Sequence, residues 1–337
     1  MTSKKIVINT LKGSNTGRVP RELWTLPWAE IHYPGEIKRI QTVFPDDFEA
    51  TWAPVKDAGI AKGNPYEIGT STDNWGCEFI NVNPGVHGEV KKPLVVGDDW
   101  EDEHKVHIPE EFIDFDIQIA NDNIKPVADK YIKGGICPRP FEQLQFIRGT
   151  ENLMMDLIYK PKGFLKFLEK MHDFYCRACK KWVQTDIDAI SFMDDWGSQR
   201  SLLISPKLWN EIFRPLYRDY IDIARKAGKK TFFHTDGYVL DIIPRMIDLG
   251  LDVINCQLFC MEMDKLKQYK GKITFWGEID RQHLLARGTK QDIIKAVRLV
   301  YDNLYSNGYC IAQCSFDAGS KPENVYTVFE TWDKLTS

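Results

Sequence analysis

Two stretches of this chain, AISFMDD at residues 189–195 and TFFHTDG at residues 231–237, show the pattern that decides the fold. Each is a short apolar run that ends in acidic or imidazole side chains. Between them, residues 207–227 have the amphipathic pattern of a helix that stops at Gly228. Short apolar strands that alternate with helices are typical of a parallel sheet covered on both faces.

The same alternation continues toward the C-terminus. Further strands are predicted at 253–258, 273–276 and 309–313, and further helices at 239–249, 291–305 and 322–334. A doubly wound open sheet and a closed barrel both fit this order, but the chain lacks the glycine-rich phosphate fingerprint that favours the open sheet. We therefore predict an α/β fold, a (β/α)8 TIM barrel with its active site at the C-terminal ends of the strands.

The first third of the chain does not follow this pattern. Residues 1–66 are rich in aromatic side chains and are interrupted by six prolines, which predicts short helices and an irregular covering lid. Two β-like runs at 66–69 and 76–82 flank a polar turn and predict a hairpin over the barrel mouth. We expect a single domain over 1–337, with the lid and hairpin in 1–110 and the main barrel in 111–337.

Composition excludes several classes of partner. The chain has 44 Lys and Arg against 48 Asp and Glu, a net charge of −4, which gives no basic surface for nucleic acid or an anionic membrane. It has neither a long apolar run nor the features of a signal peptide. Its 8 cysteines are scattered without a disulfide pattern. We expect a cytoplasmic protein with a small-molecule ligand.

Polar side chains follow four of the predicted strands, and the C-terminal ends of parallel strands meet at one barrel mouth. These residues are Asp194, Asp195, His234, Asp236, Glu278 and Cys314. The nitrogen, oxygen and sulfur donors of His234, Glu278 and Cys314 suit a tetrahedral zinc ion with one open position. The residues alone are equally compatible with a hydrogen-bonded histidine, an ion-paired glutamate and an inert buried cysteine.

The other candidates have chemical and structural interpretations side by side. Asp194 and Asp195 are predicted to be catalytic, orienting substrate or relaying a proton. The alternative is that one of them caps a helix or pairs with an arginine such as Arg200. In the hairpin, Asp73 and Trp75 are predicted to contact substrate if the hairpin covers the mouth, and otherwise Asp73 is a turn residue.

Several motifs resemble the uroporphyrinogen decarboxylase superfamily, most strongly between residues 185 and 325. They are MDDWGSQ from 193, HTDGY from 234, FWGEID from 275 and PEN from 322. The resemblance implies a (β/α)8 barrel, and we expect Asp236 and Gln257, which lie in the matching region, to bind substrate.

The superfamily contains two chemistries, and the sequence departs from the first. Uroporphyrinogen decarboxylases bind a tetrapyrrole without metal through an arginine-rich N-terminal motif. Here Arg18 and Arg21 stand in a different local pattern, and QCS at 313–315 replaces a His-Gly segment.

The second branch comprises zinc-dependent methyltransferases linked to corrinoid proteins, with a His-x-Cys motif followed much later by Cys. This chain matches at His234 and Cys314 but has Asp236 in place of the first cysteine, and Glu278 is the expected replacement ligand. A harder ligand set suits polarisation of an oxygen.

The resemblance therefore implies a methyltransferase with zinc as Lewis acid. It would move a methyl group from a small methylated donor, expected to be an O-methyl compound such as an aryl methyl ether, to a corrinoid carried by a partner protein. The reaction would be an O-demethylation. The resemblance is also compatible with a homodimer. The alternatives are a metal-free decarboxylase acting on a tetrapyrrole or smaller carboxylic acid, and a binding protein that keeps the barrel as a scaffold.

Overall fold

The computed structural model describes residues 1–14 and 17–337. Its strands are β1 (Arg21–Thr25), β2 (Phe48–Ala50), β3 (Gly69–Thr72), β4 (Glu78–Asn81), β5 (Glu89–Val90), β6 (Tyr131–Gly134), β7 (Ala189–Met193), β8 (Lys230–Thr235), β9 (Val253–Cys256), β10 (Thr274–Trp276) and β11 (Cys310–Phe316). Its α-helices are α1 (Ser3–Leu11), α2 (Pro27–His32), α3 (Pro34–Val43), α4 (Ile117–Ile124), α5 (Pro140–Arg148), α6 (Thr150–Tyr159), α7 (Lys162–Trp182), α8 (Pro206–Ile212), α9 (Arg214–Lys226), α10 (Ile243–Leu249), α11 (Met263–Leu266), α12 (Leu284–Arg287), α13 (Lys290–Leu304) and α14 (Pro322–Thr336).

Eight parallel strands form a nearly closed barrel surrounded by helices, which confirms the predicted (β/α)8 class. The order is β1-β11-β10-β9-β8-β7-β6-β2. The predicted hairpin is also present: β3 and β4 pair antiparallel, and β5 adds a third strand. No helix in the described part of the chain has both the length and the apolar composition needed to cross a bilayer.

Two barrel strands come from the region that the sequence analysis assigned to a lid. β1 has the sequence RELWT, in which charged side chains hide the strand pattern, and β2 is only three residues long. Glu22 of β1 has an ionic partner inside the barrel: its Oε1 lies 2.5 Å from Lys133 Nζ of β6. The N-terminal segment therefore contributes two strands to the barrel in addition to covering it.

The seam between β1 and β2 is joined by carboxylates. The side chain of Asp47 accepts the Arg21 N–H at 2.8 Å, and the Asp47 N–H donates to the Arg21 carbonyl at 3.0 Å. Asp46 accepts the Leu23 N–H at 2.7 Å. Arg18 adds two contacts to Asp47, at 2.6 and 2.7 Å. These two carboxylates, with one backbone bond, stand where a regular ladder would otherwise close the barrel.

Replacing Asp47 by alanine is expected to destabilise the fold by about 3 kcal/mol, because it removes a fully buried acceptor of both a backbone amide and a guanidinium. The free energy of unfolding in urea measures the effect. Asp302→Ala, an exposed aspartate of α13, is the matched control and should change stability by less than about 0.5 kcal/mol. Equal stabilities of the two variants would contradict this account of the seam.

Side chains alternate between the inside and the outside of the barrel, as strand geometry requires. A compact inner cluster fills the barrel; its members are Val7, Phe48, Tyr131, Ala189, Phe232, Val253, Trp276 and Ile311. Val7 belongs to α1, so this helix plugs the barrel below its strands. Lys133 Nζ lies 4.1 Å from the Trp276 ring centroid, above the apolar layer.

Candidate functional site

Three side chains at the C-terminal ends of β7 and β8 converge on one point. His234 Nε2 lies 3.8 Å from Asp195 Oδ1 and 3.8 Å from Asp236 Oδ1. One ligand atom from each of the three falls within 4.8 Å of the other two. Because Phe232 points into the barrel, the alternation along β8 brings His234 to the inner side too. We call Asp195, His234 and Asp236 the mouth group.

Asn255 fixes which nitrogen of His234 faces the mouth. Asn255 Nδ2 donates to the Trp276 carbonyl, so its Oδ1, 2.6 Å from His234 Nδ1, must be the acceptor. His234 Nδ1 therefore carries a proton, so Nε2, which faces the two aspartates, is the ring nitrogen that can offer a lone pair to a metal ion. This arrangement of an outer hydrogen bond behind a histidine is the one that metal ligands use.

For the zinc site that the sequence predicts at the mouth, replacing Asn255 by alanine is expected to weaken zinc binding by about 10- to 100-fold, because the ring loses the partner that sets its proton and orientation. Competition with a chromogenic chelator measures the affinity. Asn303→Ala serves as the control, since this half-buried side chain of α13 bonds to the Leu299 carbonyl of its own helix. An unchanged affinity in Asn255→Ala would mean that His234 is not a ligand.

The charges around the mouth group favour a cation. Arg281 contacts Asp236 and lies 3.6 Å from Glu278 and 3.3 Å from Asp317. Three carboxyl groups thus share one guanidinium, and Asp195 lies beside Asp236 in the mouth group. Asp236 Oδ1 and Glu278 Oε1 are buried and have no hydrogen-bond partner among the described residues. Unpartnered buried oxygens are costly, and a metal ion is one way to satisfy them.

Burial and neighbouring charges alter the acidity of these groups. Burial raises the pKa of Glu278 to about 7; Arg281 opposes the rise and Asp236 adds to it. Burial also raises the pKa of Asp195, with a further contribution from the charge of Asp236. Perturbed carboxyl groups in a cleft are typical of functional sites.

The assembled group differs from the predicted metal set at two of three positions. His234 is present, but Glu278 and Cys314 share no such group with it among residues 1–14 and 17–337. Cys314 is fully buried in the outer core between barrel and helices. Since Ile311 points inward, strand alternation turns Cys314 the other way. Glu278 faces Arg281 instead. Asp195 and Asp236 take the two places.

The adjacent aspartates that were predicted to be catalytic divide their roles. Both oxygens of Asp194 are used: they accept the N–H groups of Phe141 and Glu142 at the start of α5 and the hydroxyl of Tyr217. This carboxylate is fully buried and holds α5 in place. Asp195 is 39% exposed and belongs to the mouth group.

The predicted substrate contacts lie in two cavities. Gln257 lines a cavity of about 60 Å³ together with Glu278 and Arg281, and its Oε1 accepts the Gly237 N–H at 3.1 Å. Asp73 and Trp75 line a second cavity of about 250 Å³. Asp73 also has the turn role, since its Oδ1 accepts two backbone N–H groups of the hairpin loop.

The larger cavity is aromatic, with an arginine in its wall. Its aromatic lining consists of Trp52, Trp75, Phe112, Phe174, Tyr175 and Trp182, and its arginine is Arg139. Arg139 contacts Glu142 at 3.3 Å. Burial raises the pKa of Glu142, while Arg139 lowers it and Asp195 raises it. Glu142 thus links this cavity electrostatically to the mouth group.

Sequence reasoning missed Asn255, Arg281 and Glu142. Asn255 pairs in register with His234 on the neighbouring strand. Its position in the predicted strand 253–258 could therefore have indicated that it faces the same side of the barrel as His234. Arg281 follows β10 at the same barrel end as the other site residues. Glu142 lies in the first turn of α5, which follows β6 at the same barrel end, but the sequence analysis predicted no strand at 131–134.

Comparisons with known proteins agree with this architecture. The family profile described as Uroporphyrinogen decarboxylase (URO-D) matches residues 48–335. A methyltransferase from Methanosarcina mazei has a similar structure, with a TM-score of 0.70, 15% identity and 99% of each chain covered. A dihydropteroate synthase from Anaplasma phagocytophilum has a TM-score of 0.35, 17% identity and covers 49% of this chain and 67% of its own. That score is too low to support an argument. The search of curated sequences found no match.

Proposed function

The chain belongs to the uroporphyrinogen decarboxylase family, and within this family we propose that it is a zinc-dependent methyltransferase. It transfers a methyl group from a small O-methyl compound, of the aryl methyl ether class, to a corrinoid carried by a partner protein. The observation that carries the proposal is the mouth group with its unpartnered oxygen at Asp236.

The donor set fits zinc. His234, Asp195 and Asp236 would hold the ion, giving three protein ligands and one open position, as catalytic zinc sites have. When bound, zinc supplies Lewis acidity that stabilises the negative charge developing on a leaving oxygen. Nitrogen and oxygen ligands suit this task better than a thiolate-rich set.

Glu278 supplies the proton in this proposal. Its pKa of about 7 keeps a large fraction protonated near neutral pH, and it lines the small cavity beside Arg281. The methyl carbon–oxygen bond breaks with its electron pair on oxygen, and the proton from Glu278 neutralises that oxygen. The Co(I) corrinoid donates the pair that forms the methyl–cobalt bond and is thereby oxidised to Co(III).

The aromatic cavity supports the choice of an aryl donor. Six aromatic side chains line it, and aromatic rings bind one another favourably by stacked or edge-to-face contacts. Exclusion of water by this lining also protects the Co(I) nucleophile from protonation.

The test is methyl transfer to free cob(I)alamin under anaerobic conditions, followed by the absorbance of methylcobalamin. Anisole derivatives are compared with matched N-methylanilines, thioanisoles and methanol. The expected result is chelator-sensitive turnover of the aryl ethers. Turnover of only the nitrogen or sulfur analogues would refute the donor class, and decarboxylation of uroporphyrinogen in chelator without methyl transfer would establish the lyase instead.

A further inference from the structure

A second group of metal-ligating side chains lies outside the barrel, where α7 packs against α9. His172 and Cys176 stand one turn apart on α7, and Asp219 faces them from α9. Cys176 Sγ is 3.6 Å from His172 Nε2, and Asp219 Oδ2 is 2.9 Å from the same nitrogen. One ligand atom from each lies within 4.8 Å of the other two. Neither the proposed reaction nor the predicted metal set uses these residues.

We propose that His172, Cys176 and Asp219 form a second metal site, suited to Zn²⁺, on the outer surface of the barrel. Imidazole nitrogen, thiolate sulfur and carboxylate oxygen are all zinc ligands. A tetrahedral ion implies a nitrogen–sulfur separation of about 3.6 Å and a nitrogen–oxygen separation of about 3.4 Å. The first equals the observed separation. The second requires only a small rotation of Asp219, whose side chain is 55% exposed.

The geometry favours a metal site over a nucleophilic triad. In a Cys-His-Asp relay the thiol and the carboxylate bind opposite nitrogens of the ring, so that the carboxylate orients the base. Here Asp219 binds Nε2, the nitrogen that is also nearer to Cys176. One ligand atom of each residue lies near the other two, as coordination requires, whereas the thiol and the carboxylate do not take opposite ring nitrogens as a relay requires.

Tyr220 contacts the other ring nitrogen of His172. Its hydroxyl lies 3.2 Å from His172 Nδ1, so it can accept the proton of that nitrogen once a metal ion displaces the hydrogen between Nε2 and Asp219. Tyr220 is fully buried, so its position is fixed by packing. A buried outer-shell acceptor is the same device that Asn255 supplies to His234 at the mouth. Binding of the ion displaces the thiol proton of Cys176 to solvent.

Cobalt substitution tests the site in the full-length protein. Metal-free protein is titrated with Co²⁺ and the near-ultraviolet charge-transfer band of a cobalt–thiolate bond is recorded. The mouth group contains no cysteine, so this band reports the second site alone. It should appear in the wild type and in Cys179→Ser, a buried cysteine of the same helix, and should be absent from Cys176→Ser. Absence from the wild type, or persistence in Cys176→Ser, overturns the proposal; loss in Cys314→Ser would assign the band to the mouth.

Two variants keep the test sharp even if a cysteine variant folds poorly. Asp219→Asn changes an exposed side chain, and Tyr220→Phe changes only a hydroxyl. Each should lower the zinc affinity of the second site by about tenfold or more. Methyl transfer should be unchanged in Asp219→Asn. Unaltered affinity in both variants would exclude the site, whereas failure of methyl transfer in the wild type would refute only the proposed function.

Discussion

Replacing His234 by alanine is expected to remove zinc from the barrel mouth and to lower methyl transfer by more than about 100-fold, beyond the 10- to 100-fold typical of losing an outer-shell partner. His234 provides the one nitrogen of the mouth group, and its Nε2 is the atom on which both aspartates converge. Without it, two carboxylates remain near Arg281, which competes with a metal ion for Asp236.

The measurement is made in an Asp219→Asn background, so that weakly held zinc on the outer surface does not mask the loss. Zinc per chain should fall by about one equivalent in His234→Ala, while the matched control His104→Ala, an exposed histidine, keeps its metal and activity. Retention of both zinc and methyl transfer in His234→Ala would rule out the mouth group as the metal centre.

Replacing Glu278 by glutamine is expected to stabilise the metal-free protein at alkaline pH by up to about 3 kcal/mol. The folded carboxyl has a pKa of about 7 against a reference of 4.5, raised by burial, and each pKa unit corresponds to about 1.4 kcal/mol. Its environment, with Asp236 nearby and Arg281 already shared by three carboxylates, favours the neutral form. Glutamine keeps the shape without the charge.

The direction of this pH dependence follows from the protonation states of Glu278 in the folded and the unfolded protein. Between pH 4.5 and 7 the folded protein holds this proton and the unfolded chain releases it, so wild-type stability falls as pH rises through that window. The stability advantage of Glu278→Gln should therefore grow by about 2 kcal/mol between pH 5 and pH 8 in chelator. Chemical denaturation at both pH values measures it. The exposed control Glu101→Gln should show no such growth, and a constant difference for Glu278→Gln would show that this carboxyl titrates normally.

The alternation of strands and helices was enough to predict the barrel, and the positions after β7 and β8 were enough to predict that Asp195 and His234 lie at the same barrel mouth. The apolar run of β7 is followed by Asp194 and Asp195, and the apolar run of β8 is followed by His234. The strand prediction was wrong where polar side chains point into the barrel. Glu22 and Lys133 neutralise each other there, which one segment read alone cannot reveal, so β1 was predicted to be part of a lid.

The predicted metal set of His234, Glu278 and Cys314 does not come together in the described part of the chain for a different reason. A residue near the end of a strand reaches the mouth only if its parity is right, and parity depends on where the strand begins. β11 extends to Phe316, three residues beyond the predicted end at 313, and Cys314 lies within it on the outward side. The predicted strand ended too early to show this. Asp236 follows β8 directly, so no such ambiguity arises there.

The pairing of β1 with β11 bears on how the protein is made. The ladder partners of Arg21–Thr25 are residues 312–316, almost the full length of the chain away, and on its other side β1 meets only the carboxylate seam. During synthesis, β1 therefore lacks its ladder partner until β11 has emerged from the ribosome. Such distant contacts slow folding and expose intermediates to aggregation, so β1 stays open to wrong pairing until synthesis is nearly complete.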